Sequence, residues 1–168
     1  MAWLDSNADG ALDAAECEPC PAIREAFAKI DSDGDDRIAR AELTARIDSW
    51  SASGTALLAA PIRVLLDGRP LADAKVTLVP EAFLGDAIKP SSGVTDRTGV
   101  VRPSVAKEHL PDARLSGAHF GFYKVTVSKF SGGSDRIPAK YNAQTTLGLE
   151  LSPNESSREF RAIELSTR

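Results

Sequence analysis

Two cysteines, two histidines and one methionine are all that 168 residues supply, and these scarcities exclude several chemistries at the outset. The cysteines form Cys17-Glu18-Pro19-Cys20, a single pair without the second pair that a structural zinc site needs. Pro21 stands where a haem-attachment histidine would be, and no βαβ pattern surrounds the motif to suggest a thioredoxin-like redox site. Three readings stay open for it: a local disulfide in an exported protein, free structural thiols, or redox or metal chemistry. No apolar run approaches the ~18 residues of a membrane span. Lys and Arg form no stripe and alternate with acids, which argues against nucleic acid. Asp5 follows Met1 too closely for an N-terminal signal peptide. A nucleophile elbow, a phosphate loop and a metalloprotease helix motif are all missing, so catalysis is not expected.

What is present in excess is acid, concentrated at one end. Residues 1–50 carry twelve Asp/Glu against five Lys/Arg, a balance of −7, whereas residues 51–168 carry twelve against fifteen, a balance of +3. Such asymmetry predicts that the two segments attract each other at low salt.

The acids of the first segment fall in a pattern. Asp5, Asn7, Asp9, Ala11, Asp13 and Glu16 occupy positions 1, 3, 5, 7, 9 and 12 of a loop, the positions from which a twelve-residue loop presents oxygens to Ca²⁺. Ala11 would contribute its backbone carbonyl, Asp13 would act directly or through a water, and Glu16 would be bidentate. Gly10 at position 6 permits the sharp turn, and Leu12 at position 8 should face a partner loop. That partner runs from Asp31 to Glu42, with Asp31, Asp33, Asp35, the carbonyl of Arg37 and Glu42 in ligand register and Ile38 in the place of Leu12. It departs at two positions: Asp36 replaces glycine, which costs about 1 kcal/mol, and Ala39 offers no side-chain oxygen. Two Ca²⁺ are therefore expected, the first loop binding more strongly than the second.

Short helices should flank the loops. Ala14 to Cys17 reads as an exit helix curtailed by Pro19 and Pro21, and a second helix runs from about Pro21, suited to a first helical position, to Ile30. A third covers about Ala39 to Ser49. Ile23, Phe27 and Ile30, then Leu43, Ile47 and Trp50, share one face each and should pack with Trp3, Leu4, Leu12 and Ile38. Since only Met1 to Leu4 precede Asp5, the sequence reads as a fragment of a longer protein or as having a truncated first hand.

Ser51-Ala52-Ser53-Gly54 reads as a linker, after which the apolar period changes to two. Ile62, Val64 and Leu66 alternate, as do Val76, Leu78 and Pro80, and further strands are expected near 92–95, 99–102, 122–129, 146–151 and 158–165. Turn residues separate them. The organisation expected is 1–50 as a loop-and-helix pair, 51–60 as linker and 61–168 as an all-β domain. The fold class is α+β in two domains, a small helical pair plus a β-sandwich of about seven strands.

The two loops resemble the paired EF-hands of exported bacterial proteins; a dockerin is a poorer likeness, since Glu16 and Glu42 end the loops where dockerins usually carry Asp. Asp67 to Pro80, Gly93 to Gly99, Gly121 to Val127 and Ile137 to Asn142 resemble a carboxypeptidase-regulatory-like domain, a transthyretin-type (Ig-like) sandwich. Two enzyme families of that fold fit badly. The hydroxyisourate hydrolases require a Tyr-Arg-Gly-Ser ending, and this chain ends Glu164-Leu165-Ser166-Thr167-Arg168. Intradiol dioxygenases hold iron with two tyrosines followed by a His-x-His pair, an order that His109, His119, Tyr123 and Tyr141 do not follow.

The resemblance implies a calcium-binding, non-catalytic structural or interaction module of an exported bacterial protein, outside the cell or in the periplasm or envelope, facing a protein or cell-envelope partner. The alternative is a calcium-responsive switch that exposes a partner-binding surface. Sensor grooves are methionine-rich, and the only methionine here is Met1.

Overall fold

A computed structural model describes residues 3–52, 57–110, 112, 114–153 and 160–168. Strands dominate it. In chain order, β1 (Ala11–Leu12), α1 (Pro21–Ile30), β2 (Ile38–Ala39) and α2 (Arg40–Ala52) build the first segment. There follow β3 (Ile62–Leu66), β4 (Arg69–Pro70), β5 (Lys75–Pro80), β6 (Ser91–Val94), β7 (Val100–Val101) and β8 (Ser104–Val105). The chain closes with β9 (Gly121–Ser128), β10 (Phe130–Ser131), β11 (Ser134–Asp135), β12 (Gly148–Leu151) and β13 (Arg161–Leu165), with three short 3-10 turns between strands.

This arrangement corrects the expected fold class. The described residues hold two α-helices and thirteen strands in several small sheets, not a small helical pair beside a seven-stranded sandwich. One cause lies at the first loop, where residues 14–19 form turns in place of an exit helix. Cys17 N–H donates to Asp13 C=O and Cys20 N–H to Cys17 C=O, but Pro19 and Pro21 have no N–H to extend the run. A second cause is fragmentation. Two-residue pairings such as β4 with β3 and β10 with β11 form wherever turn residues bring short extended pieces together, too briefly for an alternating pattern to announce them.

α1 begins and ends where its sequence says, with proline at its first position and Asp31 N–H capping onto Phe27 C=O. α2 runs through Ser51 and Ala52, two residues of the expected linker; Ser53 and Gly54 lie outside the described residues.

Two sheets face each other. One has the order β12-β9-β5-β6-β8, and the other joins β13, β3 and β4, with β7 also on β3. β13 lies parallel to β3, whereas the other pairings are antiparallel. Ile62 and Val64 of β3, Val76 and Leu78 of β5, Val125 and Val127 of β9 and Leu165 of β13 share one buried core.

The second core joins the loop segment to the first sheet. Leu4, Leu12, Ile23, Ile30, Ile38, Leu43 and Trp50 cluster with Phe120 and Phe122. Trp3 is the exception to the expected packing: it is 57% exposed. Phe122 sits on the face of β9 opposite Tyr123 and Val125, so this strand feeds both cores. Its ring meets Trp50 edge-on, centroids 5.0 Å apart.

Polar contacts tie the same seam. Arg46 of α2 forks onto Glu150 of β12, Nε to Oε1 at 2.7 Å and Nη2 to Oε2 at 2.9 Å. Arg24 of α1 donates from Nη2 to the carbonyl of Thr146 at 2.8 Å. Gly148 lies so close to α1 that a β-carbon there would run into the backbone of Pro21, which is why β12 carries glycine at that position.

Candidate functional site

Both loops share a common set of internal hydrogen bonds. In the first, Asp5 accepts from Asp9 N–H (3.2 Å) and Gly10 N–H (3.0 Å), Asn7 from Asp9 N–H (2.9 Å) and Asp9 from Ala11 N–H (3.0 Å). In the second, Asp31 accepts from Asp35 N–H (3.2 Å) and Asp36 N–H (3.0 Å), Asp33 from Asp35 N–H (3.3 Å) and Asp35 from Arg37 N–H (2.9 Å). These four bonds correspond position by position, while the second loop adds Gly34 N–H to Asp31 (2.8 Å) and the first adds Glu16 N–H to Asp13 (2.9 Å).

Backbone conformation corresponds as well. Position 6 has positive φ in both loops, +90° at Gly10 and +61° at Asp36, and position 4 does too, at Ala8 (+58°) and Gly34 (+76°). Each loop therefore places glycine at one left-handed position and a side-chain-bearing residue at the other, at a cost of about 1 kcal/mol each time. Antiparallel pairing of β1 with β2 sets Leu12 opposite Ile38 and Ala11 opposite Ala39, so the loops lie back to back with both apolar side chains fully buried.

The terminal glutamates turn inward. Glu16, 8% exposed, accepts at Oε1 from Ser6 N–H (2.8 Å), Ser6 Oγ–H (3.0 Å) and Asn7 N–H (3.2 Å), and at Oε2 from Asp13 N–H (3.2 Å). Glu42 accepts at Oε1 from Ser32 N–H (2.7 Å) and Ser32 Oγ–H (2.9 Å), and at Oε2 from Ala39 N–H (2.9 Å). Reading ligand positions alone passed over Ser6 and Ser32; serine at position 2 of both loops was the available signal.

These donors favour the ionised carboxylates. The Asp13 N–H, ahead of those of Asn7 and Ser6, holds Glu16 below its ordinary value, and the Ala39 and Ser32 N–H groups do the same for Glu42. Asp9 is lowered by the Ala11 N–H and then by Arg37. A depressed folded-state pKa stabilises the fold above the unfolded value of about 4.5, and that stability is lost as pH falls through the folded value. In chelator, acid unfolding followed by circular dichroism should therefore begin below about pH 4.5, and Glu16→Gln should flatten that limb of the curve. An unchanged acid limb in the variant would show that these bonds do not favour the ionised form.

As a cation site, the second loop is the more convergent. Asp31, Asp33 and Asp35 each place one carboxylate oxygen within 4.8 Å of the others, close enough to hold one metal ion between them. The first loop forms no such triad of acids among the described residues: its position 3 is an amide, and Asp9 is paired with Arg37 across the loop boundary. Asp13 spends Oδ1 on the N–H of Glu16 at 2.9 Å. Ala39, at position 9 of the second loop, is in β2 and offers no side-chain ligand.

Elsewhere the polar residues serve structure. Cys17 and Cys20 are free and fully buried, and burial pushes their thiols up to about 11 and about 12, which leaves little thiolate for redox or metal chemistry. Tyr123 donates to His119 C=O at 2.7 Å, and the Tyr141 hydroxyl accepts from Ser166 N–H at 3.0 Å. No helix among the described residues is long and apolar enough to cross a membrane.

No protein-family model, curated protein or solved structure matches the chain, so the likeness of its loops to EF-hands rests on their residues alone.

Proposed function

We infer that this chain is a calcium-binding, non-catalytic module of an exported bacterial protein, in which two Ca²⁺ stiffen the paired loops. One observation carries the reading: two loops, 26 positions apart, share acids at positions 1, 5 and 12, left-handed positions 4 and 6 and a common set of internal hydrogen bonds, and pair through Leu12 and Ile38. Acidic surface turns have no physical reason to coincide in all these respects.

The ligands in the first loop are Asp5, Asn7, Asp9, the Ala11 carbonyl, Asp13 and Glu16; in the second they are Asp31, Asp33, Asp35, the Arg37 carbonyl and Glu42. Each terminal glutamate is held in its loop by N–H groups that compensate its charge, and a cation would add to that compensation. A structural role is preferred to a switch because the apolar face of the helices is already covered by Phe120 and Phe122. Exposing it would break an aromatic contact and the Arg46–Glu150 fork. In an extracellular or envelope setting even sites of 10⁻⁴–10⁻³ M fill.

Calcium in hundredfold excess over its dissociation constant stabilises a native-only site by about 2.7 kcal/mol. For a chain of this size that is a rise of roughly 5–10 °C in melting temperature. Scanning calorimetry with chelator and across a Ca²⁺ series up to about 0.1 M, hundredfold over the weakest of these sites, measures it, and coincident melting curves throughout would defeat the reading.

A further inference from the structure

Arg37 belongs to both loops at once. Through its main chain it serves the second, donating its N–H to Asp35 Oδ1 at 2.9 Å and holding its carbonyl at the seventh ligand position. Its side chain reaches the other way, where Nη2 forms an ion pair with Oδ2 of Asp9, the fifth-position ligand of the first loop. The remaining oxygen of Asp9 accepts from Ala11 N–H at 3.0 Å. A protein cation thus already occupies the carboxylate that a metal ion would need. The pairing of β1 with β2 makes this reach possible, because Arg37 immediately precedes Ile38 and Asp9 lies two residues before Ala11. Both partners keep solvent access, with side-chain exposures of 41% and 35%, so an incoming ion can displace the guanidinium.

We propose that Arg37 is an electrostatic gate on the first loop: its guanidinium competes with Ca²⁺ for Asp9, lowers the affinity of that loop, and is released when the ion binds. The inference rests on the calcium reading above. Exposed ion pairs are individually weak, so the gate tunes affinity without closing the site. Repulsion between a guanidinium and a divalent ion a few ångströms away adds to the competition, and salt screens both effects.

The test is a calorimetric Ca²⁺ titration in a Glu42→Gln background, which leaves the first loop as the site read. At low salt Arg37→Gln should bind about three- to tenfold more tightly than the parent, and the difference should shrink toward unity at about 0.5 M salt. Arg37→Lys, which keeps the charge, should stay near the parent. Arg37→Met supplies a second neutral side chain, and calcium-free melting curves establish that each variant folds. Equal or weaker binding by both neutral variants overturns the gate and leaves the calcium reading intact. Absence of calcium uptake by the unsubstituted chain overturns both.

Discussion

Phe122→Ala is expected to cost about 3–5 kcal/mol, the range for removing a fully buried phenylalanine, and to lower the melting temperature by roughly 10 °C or more. The ring has no solvent exposure and lies between Trp50, at 5.0 Å, and Phe83, at 6.1 Å between centroids. Its loss would open a cavity between the loop segment and the first sheet, where neither side can collapse without moving a helix or a strand. The near-ultraviolet signal of Trp50 should weaken with it. A melting temperature within 2 °C of the parent, roughly 1 kcal/mol, would show that the loop segment builds its core without the sheet.

The second large effect belongs to Glu150. Its side chain is 1% exposed and that of Arg46 17%, so the fork between them has been taken almost wholly out of water. Removing one partner leaves a buried charge uncompensated, which costs about 3–5 kcal/mol, and Glu150→Ala should fall in that range by urea unfolding. Replacing both, as Arg46→Met with Glu150→Leu, should recover most of the loss, because an apolar pair of similar volume avoids the desolvation penalty. A single variant costing under about 1 kcal/mol, the range of exposed pairs, would contradict the burial seen at this seam.

That fork runs against the overall charge asymmetry. Residues 1–50 are acidic and residues 51–168 basic, yet the buried pair takes its cation from the acidic segment and its anion from the basic one. Net charge describes the approach of two surfaces, whereas the buried contact depends on individual groups 104 residues apart in sequence. No local pattern in either segment could pair them.

Other features were legible because their causes are local. Proline at the first position and apolar spacing placed α1. Alternation located β3, β5 and β9, since each buries one face in the core between the sheets. Illegible was the fate of the opposite face. Phe122 occupies the side of β9 that also carries Lys124 and Thr126, and a large apolar side chain there was the one available sign that something covers the sheet. The fold class failed because two-residue pairings such as β4 on β3 and β10 on β11 are too brief for an alternating pattern to show, and because the first loop has turns where an exit helix was expected. At the loops, acid spacing did not announce the hydrogen bonds of Ser6 and Ser32 or the ion pair of Arg37 with Asp9, which depend on how the loops close and meet.

The parallel pairing of β13 with β3 has a consequence for the order in which the molecule is made. β3 is the first strand after α2, and its neighbour through Ile62 to Leu66 is the stretch from Arg161 to Leu165, 99 residues later in the chain. Until that later stretch has been made, β3 presents an unpaired edge on that side, and the sheet containing it is held by β4 and β7 alone. The loop segment rests instead on β9 and β12 of the other sheet, so its own support does not wait for that edge to close.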